Sequence, residues 1–222
     1  MATRVGMITI GQSPRPDVVP EVVALVGRPM TVVEAGALDG LALAEVRRLA
    51  PGPTDDTLVT RMQDGVEVHV AKRHIIPRLQ ARIDRLGAEV DVIVLLCTGH
   101  FPEFRSVVPL LEPQGLVDRI VQAVVGPGGR VGVMVPGVAQ VDGSRQKMGE
   151  YGLTATVVKA SPYADAGEVR EAAETLRATD VKAIVMHCIG YTARMKEEVR
   201  RISDKPVLLA RSLVGKILEE ML

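Results

Sequence analysis

Two cysteines in a chain of 222 residues sit in matching phrases. One reads Asp91-Val-Ile-Val-Leu-Leu-Cys97-Thr98-Gly99-His100-Phe101, the other Lys182-Ala-Ile-Val-Met-His187-Cys188-Ile189-Gly190-Tyr191-Thr192. A thiol with an ordinary pKa of about 8.5 is close enough to neutrality to take a proton from a carbon beside a carboxylate, or to return one. Two thiols on opposite sides of a substrate would racemise it, whereas one thiol attacking a double bond would isomerise it covalently. The alternative is a pair of inert core cysteines, since free cysteine is among the most buried residue types.

The elements around the thiols are legible from their periodicity. Each cysteine ends a short apolar run suited to a buried parallel strand, where side chains meet the ligand crevice of an open α/β sheet. The repeat extends backwards, with Arg4-Val-Gly6-Met-Ile-Thr-Ile10-Gly11 matching Arg130-Val-Gly132-Val-Met-Val-Pro136-Gly137. Ninety-three residues separate Arg4 from Cys97 and 58 separate Arg130 from Cys188, so the first half carries an insertion of 35. Residues 56–70 alternate and turn at Asp64-Gly65, which predicts a β-hairpin with a two-residue turn there.

Elsewhere strands alternate with helices. A helix is expected from Ser13-Pro14 through Val26, another over Asp39–Leu49 capped by Asp39, and a third over Lys72–Leu86. The second half reads as strands 130–135, 153–158, 182–188 and 207–209, with helices at 138–150, 165–178 and 192–203 and a last one to Leu222. This pattern predicts two pseudo-symmetric, doubly wound, mainly parallel Rossmann-like halves, 1–113 and 114–210, with helix 211–222 packing back on the first. Cys97 and Cys188 are then expected to face each other across an interdomain cleft, about 7–10 Å apart, each followed by a helix N-terminus that favours thiolate and anionic substrate.

Composition narrows the class. Net charge is zero, with 47 % hydrophobic and 24 % charged residues, so a soluble packed core is expected and nothing electrostatic favours nucleic acid or an anionic membrane. No apolar run approaches the roughly 20 residues of a membrane span. Two cysteines without a secretory leader suggest a reducing cytoplasm. Cysteines and histidines lack metal-ligand spacing, and Gly126-Pro-Gly-Gly129 precedes a strand rather than following one, so neither zinc nor a dinucleotide is indicated. A homo-oligomer is left open.

The opening Thr9-Ile10-Gly11-Gln12-Ser13-Pro14-Arg15 and the tail Cys188-Ile189-Gly190-Tyr191 … Pro206-Val207-Leu208-Leu209 resemble the AroM family, within the aspartate/glutamate racemase superfamily. The resemblance covers essentially the whole chain. It implies a racemase-like fold and cofactor-independent chemistry of the kind found among amino-acid racemases, maleate isomerase and arylmalonate decarboxylase. The chain departs from glutamate racemases in having Gln12-Ser13 where they carry an acidic residue, and Cys97-Thr98-Gly99 where they carry Cys-Asn-Thr.

The reading is a racemase or isomerase acting on a small carboxylate, with Cys97 and Cys188 as acid–base pair or nucleophile. Thr98-Gly99, Ile189-Gly190 and Gly11-Gln12-Ser13 are the expected donors to the carboxylate and an enolate-like intermediate. Arg15 is a candidate fork for the carboxylate, with surface exposure as the alternative. His100, Pro136, Gly137, Tyr191 and Thr192 complete the candidate site. His187, one residue before Cys188 on a strand, is expected on the opposite face as a satisfied structural histidine. A non-catalytic anion-binding protein and a single-cysteine decarboxylase or cis–trans isomerase are the competing readings.

Overall fold

The computed structural model describes residues 2–222. Two compact units are present, one of Met1–Pro113 with Ile217–Leu222 and one of Gln114–Lys216.

The first unit is organised on β1 (Thr3–Thr9), whose residues become wholly buried after its opening turn. Parallel strands β2 (Met30–Gly36), β5 (Val92–Leu95) and β6 (Leu110–Leu111) give a sheet of order β2-β1-β5-β6. Helices α1 (Val19–Val26), α2 (Leu43–Arg47) and α3 (Lys72–Leu86) connect them. In the second unit β7 (Arg130–Val135), β8 (Thr154–Lys159), β9 (Ala183–Met186) and β10 (Val207–Leu209) form a parallel sheet of order β8-β7-β9-β10. Its helices are α4 (Pro113–Val125), α5 (Val141–Glu150), α6 (Ala166–Arg177) and α7 (Ala193–Ser203), and α8 (Ala210–Met221) begins in this unit and ends, from Ile217, in the first.

The two sheets share more than their order. Gly6 of β1 is level with Ile93 of β5, and Gly132 of β7 with Ile184 of β9. A Cβ on Gly6 would stand 3.3 Å from Ile93 and from Leu86 of α3, and one on Gly132 would stand 3.0 Å from Leu176 of α6 and 3.2 Å from Ile184. Each glycine thus lets one helical leucine seat directly on the central strand, where a larger residue would lift the helix off the core. Such a shared packing detail, at equivalent positions of the repeat, is the mark of a duplicated half.

The insertion in the first half is the antiparallel hairpin β3 (Thr57–Arg61) and β4 (Glu67–Ala71). Its turn is one residue longer than the two-residue form that Asp64-Gly65 suggested. The N–H of Met62 bonds to the carbonyl of Val66, and that of Gly65 to the carbonyl of Met62, with Gly65 at φ +89°. This is a three-residue turn closed by a glycine in the left-handed region, a conformation costly for any residue with a Cβ.

Three helix expectations are corrected. Ser13–Pro14 is a cis peptide outside any helix, and α1 starts at Val19 with proline in its first turn. The helix expected over residues 39–49 is only Leu43–Arg47, because Asp39 is drawn away to the loop after β1 while Glu45 caps the N–H of Ala42 at 2.8 Å. Residues 98–109 form no helix, so the thiol of Cys97 is not followed by a helix N-terminus. Among the described residues no helix is long and apolar enough to cross a membrane.

Candidate active site

Each cysteine follows the third strand, in chain order, of its unit's parallel sheet: β5 in the first unit and β9 in the second. The preceding residue makes the last rung to the central strand, Leu96 N–H to Ile8 O at 2.7 Å and His187 N–H to Met134 O at 3.0 Å. The chain then turns, and the glycine two residues on donates its N–H back to the sulfur, Gly99 to Cys97 Sγ at 3.2 Å and Gly190 to Cys188 Sγ at 3.4 Å. Such a donor stabilises sulfur when it carries negative charge. The cysteines are 9 % and 8 % exposed, and neither is in a disulfide. Both are therefore held by their own loops in one geometry, which a random pair of core cysteines would not share.

The surroundings of the two loops differ. Thr98 is buried, and the ring of His100 lies at the surface. Downstream, Glu112 is pushed above the usual carboxylate range by burial and by the charge of Glu103, with His100 pulling the other way. At the second loop Ile189 and Tyr191 are buried, and a Cβ on Gly190 would stand 2.5 Å from the Tyr163 hydroxyl and 2.8 Å from Pro162. Tyr191 donates its hydroxyl to the carbonyl of Ala160 and is wholly buried, which raises its phenol pKa well above the ordinary 10.0; the nearby Cys188 adds to the rise. Tyr191 is packed in the core of the second unit. Thr192 caps α7, accepting the N–H of Met195 at 3.2 Å. The positive end of α7, an 11-residue helix that begins at Ala193, thus lies five residues past Cys188 in the chain.

His187 pairs through Nε2 with Asp118 Oδ1 at 2.9 Å, and Asp118, on α4, is fully buried and also accepts from Gln114 at 3.3 Å. Arg211 of α8 is 1 % exposed and donates from Nε to the carbonyl of Ile189 at 2.9 Å and from Nη2 to that of Gly190 at 3.0 Å. Sequence reasoning missed both Asp118 and Arg211. For Arg211 the signal available was a charged residue set among apolar ones, whereas Asp118 stands beside Arg119 and reads as one of an ordinary charged pair.

The loop after β1 is engaged with protein. Asp39 Oδ1 accepts the N–H of Ser13 at 2.7 Å, and Oδ2 accepts the Ser13 hydroxyl at 2.8 Å and the N–H of Gly36 at 2.7 Å. Gln12 donates to the carbonyls of Leu38 and Leu41 at 3.2 and 2.8 Å and accepts from Gln63 of the hairpin at 2.9 Å. A Cβ on Gly11 would meet the Arg61 carbonyl at 2.4 Å and Thr60 Oγ1 at 2.5 Å, so β3 lies directly against this loop. Arg15 is 3 % exposed; it forks onto both oxygens of Asp17 at 2.8 Å and donates to Thr9 at 2.9 Å. Burial works against ionisation of Asp17, yet the hydrogen bonds and charge of Arg15, with Arg61 behind, hold its carboxyl below the usual range. Arg15, Gln12 and Ser13 therefore spend these donors on the fold.

In the second unit Pro136 and Gly137 are buried at the end of β7, and the Gly137 N–H bonds to Gln140 Oε1 at 3.1 Å. A pocket of about 170 Å³ in the first unit lies elsewhere, lined by Glu34, Asp39, Arg82, Arg85 and Glu89 among others, and contains no cysteine. Among the described residues no group of three or more His, Cys, Asp and Glu is placed to hold a metal ion.

Two units, each built on a four-stranded parallel sheet and each delivering a cysteine just past the third strand of that sheet in chain order, give an α/β protein of racemase-like fold. The chain is similar in structure to maleate isomerase from Pseudomonas putida, with TM-score 0.64 and 16 % identity over 100 % of this chain and 93 % of that one. It is similar to a glutamate racemase from Bacillus anthracis, with TM-score 0.63 and 12 % identity over 99 % and 81 %. For arylmalonate decarboxylase the values are 0.62 and 17 % over 99 % and 91 %. At these identities the likeness is one of fold. The chain belongs to the AroM protein family, whose model it matches over residues 5–222. No curated protein matches its sequence.

Proposed function

We propose that this protein is a cofactor-independent racemase or isomerase acting on a small carboxylate, with Cys97 and Cys188 serving one substrate from their two units in a reducing cytoplasm. The observation that carries the reading is the glycine N–H aimed at each sulfur, at 3.2 and 3.4 Å. In the racemase form one thiolate takes the proton from the carbon beside the carboxylate, leaving an enolate-like anion, and the other thiol delivers its proton to the opposite face. The enzyme then holds the proton on the first sulfur and the charge on the second, ready for the reverse direction. The substrate carboxylate falls to donors of the cysteine loops and to the positive end of α7, since the loop after β1 is occupied by Asp39 and Gln63.

A single-thiol reaction, decarboxylation or cis–trans isomerisation, is the second reading. The inequality of the loops favours it, because α7 and Arg211 attend Cys188 while residues 98–109 beyond Cys97 hold no helix.

Deuterium wash-in from heavy water decides between them. A panel of small amino acids, hydroxy acids and unsaturated diacids is run on the wild type, Cys97→Ser and Cys188→Ser. The two-thiol reaction requires both variants to lose interconversion of enantiomers, each retaining exchange of one. Loss confined to one variant selects the single-thiol reaction. Silence of the wild type across the panel would reject racemase and isomerase action on these substrates and favour an anion-binding protein.

A further inference from the structure

We propose that Arg211 is a positioning residue that governs the charge on Cys188 through the Ile189–Gly190 peptide, an inference that rests on reading Cys188 as a reacting thiol. In a trans peptide the C=O and N–H point in opposite directions. The oxygen of this one receives Arg211 Nε at 2.9 Å, and its N–H reaches Cys188 Sγ at 3.4 Å. A single peptide group therefore stands between a guanidinium and a sulfur. The next carbonyl, that of Gly190, receives Nη2 of the same arginine at 3.0 Å, so the fork grips two successive peptides and fixes their orientation. Tyr163 and Pro162 close against Gly190 on a further side, at 2.5 and 2.8 Å from where a Cβ would be, and leave the peptide little freedom to turn.

The cost of this arrangement says that the charge is used. Arginine stays protonated at all ordinary pH, and at 1 % exposure it has given up its water. A leucine or methionine would fill the same space at the start of α8 without that cost. Set at the oxygen end of the peptide, the cation polarises the bond and strengthens donation by the N–H at its other end, an effect that grows in a low-dielectric interior. The group that benefits is the sulfur in its ionised form. Arg211 thus acts on the thiol through the peptide that stands between them.

The test is a pH titration of the thiolate by its ultraviolet absorbance in a Cys97→Ser background, where only Cys188 reports. Arg211→Met and Arg211→Lys are compared with the parent. The midpoint is expected to rise by roughly one pH unit with methionine, a tenfold loss of thiolate well below the midpoint. Lysine keeps the charge but cannot fork, and falls between. The same arginine variants in a Cys188→Ser background should leave the Cys97 midpoint unmoved, which separates a local effect from general loosening. Should Arg211→Met fail to fold, Arg211→Lys decides alone, by a rise at Cys188 or none. An unchanged Cys188 midpoint, or equal movement of both thiols, overturns the proposal. The titration needs no substrate, so it stands apart from the racemase reading. Turnover absent beside an Arg211-dependent midpoint would sink that reading and keep the relay, and turnover beside an indifferent midpoint would do the reverse.

Discussion

Replacing Asp39 by asparagine separates two accounts of the loop after β1. If Asp39 were the N-cap of a helix, asparagine would serve equally well and the change would be nearly neutral. In the fold it is a clamp, taking Ser13 N–H on Oδ1 at 2.7 Å and Ser13 Oγ and Gly36 N–H on Oδ2 at 2.8 and 2.7 Å. An asparagine must place its NH2 against one of those two backbone donors, and neither can turn to accept. One charge-assisted hydrogen bond is lost and one donor stranded, a cost of about 2 kcal/mol. For a protein of this size the melting temperature then falls by about 4–8 °C. Urea denaturation monitored by circular dichroism measures the free energy, with Asp142→Asn as control because that side chain is 93 % exposed. A variant within about 0.5 kcal/mol of wild type, the spread of ordinary surface changes, would refute the clamp.

Gly11→Ala puts a Cβ 2.4 Å from the Arg61 carbonyl and should cost about 1–3 kcal/mol as β3 is forced off the loop. Gly115→Ala, in α4 with nothing within 4 Å, should gain about 0.5 kcal/mol in the same denaturation assay; reversal of that order would refute the packing argument. Thr60 Oγ1 is buried without a hydrogen-bond partner among the described residues, so Thr60→Val should stabilise by about 1 kcal/mol, and a loss of stability on calorimetry would show that the hydroxyl is used. The depressed Asp17 carboxyl contributes stability that is complete above its unfolded pKa, about 4, and is lost as pH falls through its lower folded value. Urea midpoints of Asp17→Asn should therefore decline less steeply than wild type on that acid side, and parallel declines would remove Asp17 from the acid unfolding.

The residues that were legible are those whose signal is local. Gly6 and Gly132 sit at the same place in matching octapeptides, and their apolar neighbours mark both as buried strands. The hairpin declared itself through alternation and Asp64-Gly65, though turn length depends on closing bonds that composition does not encode. Arg15, Gln12 and Ser13, polar residues at a strand end, read from the sequence as donors to a substrate carboxylate. What occupies them is Asp17 two residues on, Asp39 across the β2 turn and Gln63 on the hairpin, 51 residues from Gln12. Only folding brings such partners together, and a donor at a strand end is free for a ligand only when none arrives. Arg211 fails in the opposite direction. Its neighbours in sequence suggest an ordinary helix start, and its meaning lies in two carbonyls 21 and 22 residues earlier.

Duplication preserved the peptide that meets each sulfur and changed what stands behind it. The first unit used its extra residues to lay β3 over the loop after β1, holding Gly11 and Gln12 shut. The second has no such hairpin, and it sets α7 after its cysteine and a buried cation behind the loop. A proton-transferring pair of thiols cannot begin with both ionised or both neutral, because one must accept before the other gives. In the two-thiol reaction each turnover exchanges proton and charge between the sulfurs, so a pair of equal halves would serve both directions alike. The inequality favours one of the two states instead: under the proposed relay Arg211 holds charge at Cys188 and leaves Cys97 the proton, the bias that a single-thiol reaction uses. The comparison of Cys97→Ser with Cys188→Ser therefore reads the same difference as the Arg211 titration, since a thiol kept charged by its surroundings is the one whose loss should end turnover.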